Sequence, residues 1–376
     1  MSSTTLRAGV IGATGRGNYG HGLGETFTAL ERTRVVAVAD ADAAGGAEAQ
    51  QRMDAARHYL DYREMLDREQ LDLVAVTPRW TDQRRAMVVA AAEAGVKGIY
   101  CEKPFAATLA DADAMLEACD RHGVRMVVAH RRGAVPELRV KELVDAGEIG
   151  DIQVMRGHGK GDHRAGSLDL MILGTHILDG IRYVADSNVA WAHGHVTQDG
   201  RALTRDDIRE GDEGVGLLAG NRVAAYYVFE NGLTAHYESF QGYPEDANDH
   251  NRHLGFEVYG TKGIVSIRNS PAGELYLHRH DLWVPDTDTR RWERIRFPEW
   301  EQSNVTVASN SLIVEELLAA IDEDREIRRV SSGHDARAAL EMIMAVHESN
   351  RLGTRVAFPL ANRDNPYATW QAAGQA

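Results

Sequence analysis

The stretch Val10-Ile11-Gly12-Ala13-Thr14-Gly15-Arg16-Gly17 decides how the first half of the chain is read. An apolar run leads into it and a helical pattern follows it. Glycines at such a strand-to-helix turn permit a tight bend and leave backbone N–H groups facing a pyrophosphate at a helix N-terminus. The middle glycine of G-x-G-x-x-G is Thr14 here, with Gly15 beside it, so a plain tight turn is the competing reading.

Asp40 closes the next apolar run, 23 residues after Gly17. An acidic side chain there accepts hydrogen bonds from the adenosine ribose hydroxyls and repels a 2′-phosphate. That favours NAD over NADP, although Arg16 keeps NADP open. Strand, glycines and a spaced Asp together point to a dinucleotide held by Gly12, Thr14, Gly15, Arg16, Gly17 and Asp40.

Working outward, Ala8–Ile11, Val35–Asp40, Leu73–Thr77, Gly98–Cys101 and Met126–His130 are short apolar runs, with helical patterns at Asp82–Ala94 and Leu109–His122. Runs of this kind, buried on both faces and alternating with helices, describe a doubly wound parallel sheet. A third helix, Pro136–Gly147, follows, and the domain boundary falls near Arg131, giving domains 1–131 and 132–376. In the second, Tyr226–Glu230, Leu233–Phe240, Gly255–Tyr259, Ile264–Arg268 and Glu274–His278 are rich in β-branched and aromatic residues. They imply a mostly antiparallel sheet, with helices at 169–185, 309–323 and 334–352. The tail after Leu360 reads as a loosely held terminus or a subunit arm.

The chain has 376 residues, 43% of them hydrophobic and 26% charged, which suits two ordinary globular domains. With 42 Lys and Arg against 56 Asp and Glu, its net charge of -14 repels nucleic acid. No apolar stretch is long enough for a membrane span and Met1–Arg7 lacks a signal-peptide core, so a cytoplasmic location is expected. Cys101 and Cys119 form no disulfide framework or metal spacing and are expected to be reduced. The pairs His250/His253 and His278/His280 lack a specific ligand set, so no metal is expected.

Tyr100-Cys101-Glu102-Lys103-Pro104 ends a strand at the carboxyl edge, where doubly wound sheets place ligands. Here the chain resembles the Gfo/Idh/MocA oxidoreductases, which carry such an E-K-P. Thr77-Pro78, Gly147-Glu148-Ile149-Gly150, Gly174-Thr175-His176 with Asp179, Tyr259-Gly260-Thr261-Lys262-Gly263 and the closing segment Asp335 to Leu360 agree with it in order. The resemblance implies an N-terminal Rossmann domain, a C-terminal α/β domain with a large open sheet, bound NAD(P), and a sugar, cyclitol or related hydroxylated substrate. It also implies a homodimer or homotetramer packed through that sheet. Lys103 and His176 match the family's two acid/base positions, and Asp179 its substrate-binding carboxylate. Thr77, Pro78, Trp80 and Glu102 join Lys103 as expected cofactor contacts.

Two departures stand out. The family's D-x-G-x-H-x-x-D pattern has Ile172 at its first Asp; Asp169, one helical turn earlier on the same expected face as His176 and Asp179, either supplies the missing charge or caps the helix. Where many relatives have N-x-x-H after Thr77-Pro78, this chain has Arg79-Trp80-Thr81-Asp82. Trp80 there either stacks on the cofactor or packs the fold. The glycine-rich stretch Gly157-His158-Gly159-Lys160-Gly161-Asp162-His163-Arg164 offers Lys160, His163 and Arg164 to an anionic substrate group, unless it is a solvated loop. The loop from Tyr243 through Asp249-His250-Asn251-Arg252-His253 is a second candidate pocket wall.

The leading expectation is therefore an NAD-dependent dehydrogenase of a sugar, sugar derivative or cyclitol, anionic ones included. The alternative is an NAD-dependent glycoside hydrolase of the same superfamily, which oxidises, eliminates, hydrates and reduces again. A non-catalytic NAD-sensing regulator is disfavoured by the retention of both Lys103 and His176.

Overall fold

A computed structural model describes residues 5–242, 253–268, 274–279, 291–301 and 304–373. The chain divides into two compact units: Met1–Gly133 with Asp212–Val215 and Thr306–Arg337, and Ala134–Gly211 with Gly216–Val305 and Ala338–Ala376.

In the first unit six parallel strands, β1 (Leu6–Ile11), β2 (Thr33–Ala39), β3 (Arg57–Tyr59), β4 (Leu73–Val76), β5 (Gly98–Cys101) and β6 (Arg125–Val128), run in the order β3-β2-β1-β4-β5-β6. Every residue of β4 and β5 is buried, as a sheet covered on both faces requires. The order reverses between β1 and β4, and ligands settle outside the carboxyl ends of the strands at such a reversal. The crossovers carry α1 (Leu23–Ala29), α2 (Ala43–Arg52), α3 (Tyr62–Arg68), α4 (Arg84–Glu93) and α5 (Leu109–His122). Helix α5 starts where the Thr108 side chain accepts the Asp111 N–H, and it stops at Gly123 in the left-handed region. Both cysteines are free and buried.

The second unit begins with α6 (Val135–Asp145) and β7 (Ile152–His158). A short helical turn α7 (Ser167–Asp169) continues through a π-helical turn, Leu170–Gly174, into α8 (Thr175–Ala185). Then come β8 (Val189–Gln198), β9 (Arg201–Ala202), β10 (Arg209–Glu210), β11 (Leu217–Leu218), β12 (Arg222–Phe229), β13 (Thr234–Phe240), β14 (Gly255–Gly260), β15 (Gly263–Arg268), β16 (Glu274–Arg279) and β17 (Glu293–Ile295). The chain closes with α9 (Pro298–Glu301), α10 (Val305–Asp322), α11 (Gly333–Leu352), β18 (Val356–Ala357) and α12 (Pro366–Ala372). Strands β17-β16-β15-β14-β7-β13-β12-β8-β18 form one sheet, with β9 on β8; only the β7/β13 pair is parallel among the described strands. Along β12, Val223, Ala225, Tyr227 and Phe229 are buried while Arg222 and Ala224 are exposed, the alternation of a sheet with one covered face.

Three sequence expectations change. Most of α10 returns to the first unit instead of staying with 132–376. Its Leu317 and Ile321 lie against Gly98, its Ile313 lies against Gly133, and the hydroxyl of Tyr100 donates to Asn310 at 2.9 Å. A helix is legible in sequence over this segment, but not which sheet it covers. Gly157 and His158 belong to β7 rather than to a loop, because the glycine there makes room for Ile177 and Ile181 of α8. The tail is anchored rather than loose: Tyr367 is fully buried, with its hydroxyl 3.2 Å from His347 Nδ1 and 3.3 Å from the Ala219 carbonyl.

Candidate active site

Helix α1 begins only at Leu23, so the turn after β1 is longer than a reading centred on Gly12 supposes. Gly15, Gly17 and Gly20 have φ of +80, +87 and +59°. They make Gly15-Arg16-Gly17-Asn18-Tyr19-Gly20 a complete G-x-G-x-x-G, three residues beyond the expected one. That signal was present in the sequence, masked by the earlier Gly12. A side chain at Gly17 would crowd the Arg79 backbone, and one at Gly20 would collide with Glu102 and the Thr77 carbonyl; nothing lies near Gly15. Gly12 is filled by the ring of Tyr19. The loop thus packs down at two glycines and leaves open space over the third, whose N–H is donated to Asn18 Oδ1 at 3.0 Å; backbone without a side chain suits the close approach of a phosphate.

Asp40 is 3% exposed and lines a cleft of about 370 Å³ with Gly12, Thr14, Arg16, Pro78 and Trp80. Its carboxylate accepts the Thr14 backbone N–H at 3.0 Å, the Thr14 hydroxyl at 2.7 Å and the Asp42 N–H at 3.0 Å. Thr14 therefore orients the acid. Thr77 turns inward, donating to the Ile11 carbonyl at 2.8 Å, and braces β1 against β4. Arg16 pairs with Asp82 at 2.7 Å and lies 4.7 Å over the Trp80 ring.

Glu102 follows β5 and is fully buried. One carboxylate oxygen accepts the His21 N–H at 2.9 Å and stands 3.0 Å from His21 Nδ1; the other accepts the Lys103 N–H at 2.9 Å. Burial pushes the carboxyl up, but the hydrogen bond and charge of His21 with the charge of Lys103 outweigh it and hold the group at about 2. Lys103 itself is 7% exposed. Arg84, buried at the start of α4, donates to the carbonyls of Pro78, Arg79 and Pro104 and so ties the loops after β4 and β5 together. An arginine within a helical pattern gives no sign of this, whereas His21 stands directly after Gly20, where its proximity to the loop was legible.

In the second unit, half-buried His176 opens α8 and Asp179, fully buried, lies one turn further on. The π turn, with its i→i+5 bonding, shifts Asp169 off the face that a continuous α-helix would give it. Asp169 does not cap the helix either; Gly166 stands there. Its carboxylate instead takes the Ser239 hydroxyl at 2.5 Å and the Lys160 N–H at 2.9 Å, while Oδ1 has no partner among the described residues. Burial pushes Asp169 up, against the pull of those two bonds, to about 6. Ile172 is 3% exposed.

Asp162, 5% exposed, holds two of the loop cations: Arg164 at 2.6 Å and Lys160 at 3.3 Å. Burial pushes its carboxyl up, but hydrogen bonds from Arg164 hold it well below the usual range. These three side chains carry one net positive charge between them. His163 is exposed. Tyr243 to Arg252 and His280 lie outside the described residues; His253 lies against His158 with ring centroids 5.3 Å apart and the ring planes tilted by 46°. Among the described residues no group of three His, Cys, Asp or Glu gathers as a metal set.

Residues 6–130 match the model of an oxidoreductase family with an NAD-binding Rossmann fold, and residues 138–266 match the GFO/IDH/MocA C-terminal domain. The chain is 29% identical over 274 residues to levoglucosan dehydrogenase of Pseudarthrobacter phenanthrenivorans, covering 66% of this chain and 68% of that protein. It is 43% identical over 99 residues to D-apiose dehydrogenase of Paraburkholderia graminis, which is 26% of each chain. It is 32% identical over 140 residues to 2,7-anhydro-N-acetylneuraminate hydratase of Mediterraneibacter gnavus, 37% of this chain and 36% of that one. The match thus spans about a quarter to two thirds of these relatives. The structure of levoglucosan dehydrogenase with NADH and levoglucosan shares the fold, with a TM-score of 0.74 at 21% identity, covering 94% of this chain and all of that one.

Proposed function

Because the chain belongs to the GFO/IDH/MocA family of NAD-binding oxidoreductases, we propose that it is an NAD-dependent dehydrogenase acting on a hydroxyl carbon of a sugar, sugar derivative or cyclitol. The carrying observation is the double grip of Glu102, whose carboxylate fixes the backbone of Lys103 and of His21 together. It sets a buried lysine at the carboxyl edge of the sheet, beside the loop that cradles the cofactor phosphates.

When bound, NAD supplies a carbon that accepts or returns a hydride. The backbone at Gly15 to Gly17 holds its phosphates and Asp40 its adenosine ribose. Lys103 takes the hydroxyl proton as the C–H bond breaks, and returns it in the reverse direction. His176 is the acid/base candidate of the second unit, and Asp179 accepts hydrogen bonds from substrate hydroxyls. Lys160 and Arg164, with one net positive charge left after Asp162, support an anionic substituent on the sugar. The half-buried rings of Trp191 and Tyr226 and the exposed ring of His236, with centroids 5.6 and 4.9 Å apart along the ladder, support self-assembly through the sheet of the second unit.

A second reading, redox-neutral cleavage of a glycoside, is favoured by apolar Ile172 where the family keeps a carboxylate, and by the likeness to a hydratase. Incubating protein and NAD with neutral and anionic sugars, polyols and aryl glycosides tests both. Stoichiometric NADH without aglycone is the expected result. Many turnovers of aglycone per NAD, without net NADH, would replace the dehydrogenase with the glycosidase.

A further inference from the structure

The segment Arg79-Trp80-Thr81-Asp82 departs from the family pattern, and the proposed chemistry uses none of it. In the first unit these residues meet the glycine loop twice, where the Arg79 backbone packs at Gly17 and where one loop side chain reaches Trp80 and Asp82. Arg16, between Gly15 and Gly17, places its guanidinium 2.7 Å from the Asp82 carboxylate and 4.7 Å over Trp80. All three line the cleft that contains Asp40. Both members of the ion pair are open to solvent, at 49% and 36% of side-chain exposure, so exchanging one anionic partner for another carries little desolvation cost. Trp80 gives the planar cation a face to rest on while the exchange takes place.

We propose that Asp82 is an internal competitor for the cofactor: it occupies Arg16 in the free protein, and the dinucleotide's pyrophosphate displaces it. The proposal rests on the NAD-binding reading of the cleft. Arg16 is a cation within the glycine loop itself, flanked by Gly15 and Gly17, and a guanidinium binds phosphate as readily as carboxylate. Asp82 lines the same cleft, so its charge opposes a dianion there whether or not it is paired. The pair therefore weakens cofactor binding and keeps the cofactor exchangeable, and Arg16 selects for the pyrophosphate rather than for a 2′-phosphate.

Equilibrium titration of the whole protein with NADH, NADPH, ADP-ribose and adenosine, followed by calorimetry, tests this without turnover. Asp82→Asn is expected to tighten NADH and ADP-ribose by roughly two- to fivefold, the scale of an exposed ion pair, and to leave adenosine unchanged. Arg16→Ala is expected to weaken NADH and ADP-ribose by about tenfold. In the Arg16→Ala background the gain from Asp82→Asn should shrink to less than about twofold. Melting temperatures within a few degrees of wild type establish that each variant is folded. Unchanged or weakened NADH binding by folded Asp82→Asn overturns the competitor, as does an Arg16→Ala loss confined to NADPH. A wild-type protein that binds neither NADH nor ADP-ribose would instead overturn the cofactor reading, and the competitor with it.

Discussion

The Glu102 carboxylate holds His21 at two points, 2.9 Å from its backbone nitrogen and 3.0 Å from Nδ1. The fully buried acid sits at about 2 against an ordinary 4.5. A depressed folded value contributes stability that is complete above about 4.5 and is lost as pH falls toward about 2. Urea unfolding of wild type and Glu102→Gln should differ by on the order of 3 kcal/mol near neutral pH, with the gap closing below about pH 5. A gap independent of pH would remove the ionic account.

Lys103→Met and His176→Asn should each lower kcat by about 10² to 10⁴ on the preferred sugar. NADH affinity, measured separately by fluorescence titration, should fall far less. Losses of equal size in both quantities would make these residues cofactor anchors rather than acid/base groups.

Asp40→Ser should weaken NADH by about tenfold and bring NADPH to comparable affinity, since the variant no longer repels a 2′-phosphate. Thr14→Val removes the hydroxyl that orients Asp40, and should cost a smaller part of the same NADH preference. An unchanged NADH to NADPH ratio in Asp40→Ser would show that selection lies elsewhere.

Asp169 has the opposite sign from Glu102. Its value is raised to about 6 from 3.8, so the folded protein binds the extra proton, and stability present below about 4 is lost as pH rises through about 6. Asp169→Asn keeps an acceptor for Ser239 and Lys160 without the buried charge. Thermal melts should show the variant gaining on wild type between about pH 4 and pH 7. A constant offset would mean that the carboxyl does not titrate there.

Arg164→Ala should raise KM more for an anionic sugar than for its neutral analogue. The same substitution leaves Asp162 with Lys160 as its cation and with the residue-164 backbone N–H, and the surplus positive charge of the three side chains disappears. Equal KM changes on both substrates would exclude an anionic pocket.

The parallel strands were legible because full burial on both faces leaves an unbroken apolar run, as in Leu73 to Val76. Strand β7 was not, because Arg156, Gly157 and His158 interrupt such a run: one face is exposed and Gly157 is kept small by α8. Strand β3 has only three residues, too few for a periodic signal. Glu102-Lys103 announced itself by position and motif, but Arg84 and Ser239 act through backbone carbonyls and a buried carboxylate that meet them only in three dimensions. The π turn changes hydrogen-bond spacing without any glycine or proline pattern that marks it out, so the angular position of Asp169 was beyond the reach of a helical wheel.

The first unit draws its last packing layer from residues 306–337, nearly two hundred positions after Gly133. Ribosomes deliver about 5–20 residues each second, so the emerging N-terminal sheet waits many seconds before Ile313 and Leu317 arrive. During that interval the surfaces around Gly98 and Gly133 lack their covering helix, and the Tyr100 hydroxyl lacks Asn310. The usual order of synthesis, in which an N-terminal domain completes itself before the next begins, is therefore unavailable to this chain. A nascent polypeptide halted at residue 133 lacks the helix that completes its first unit.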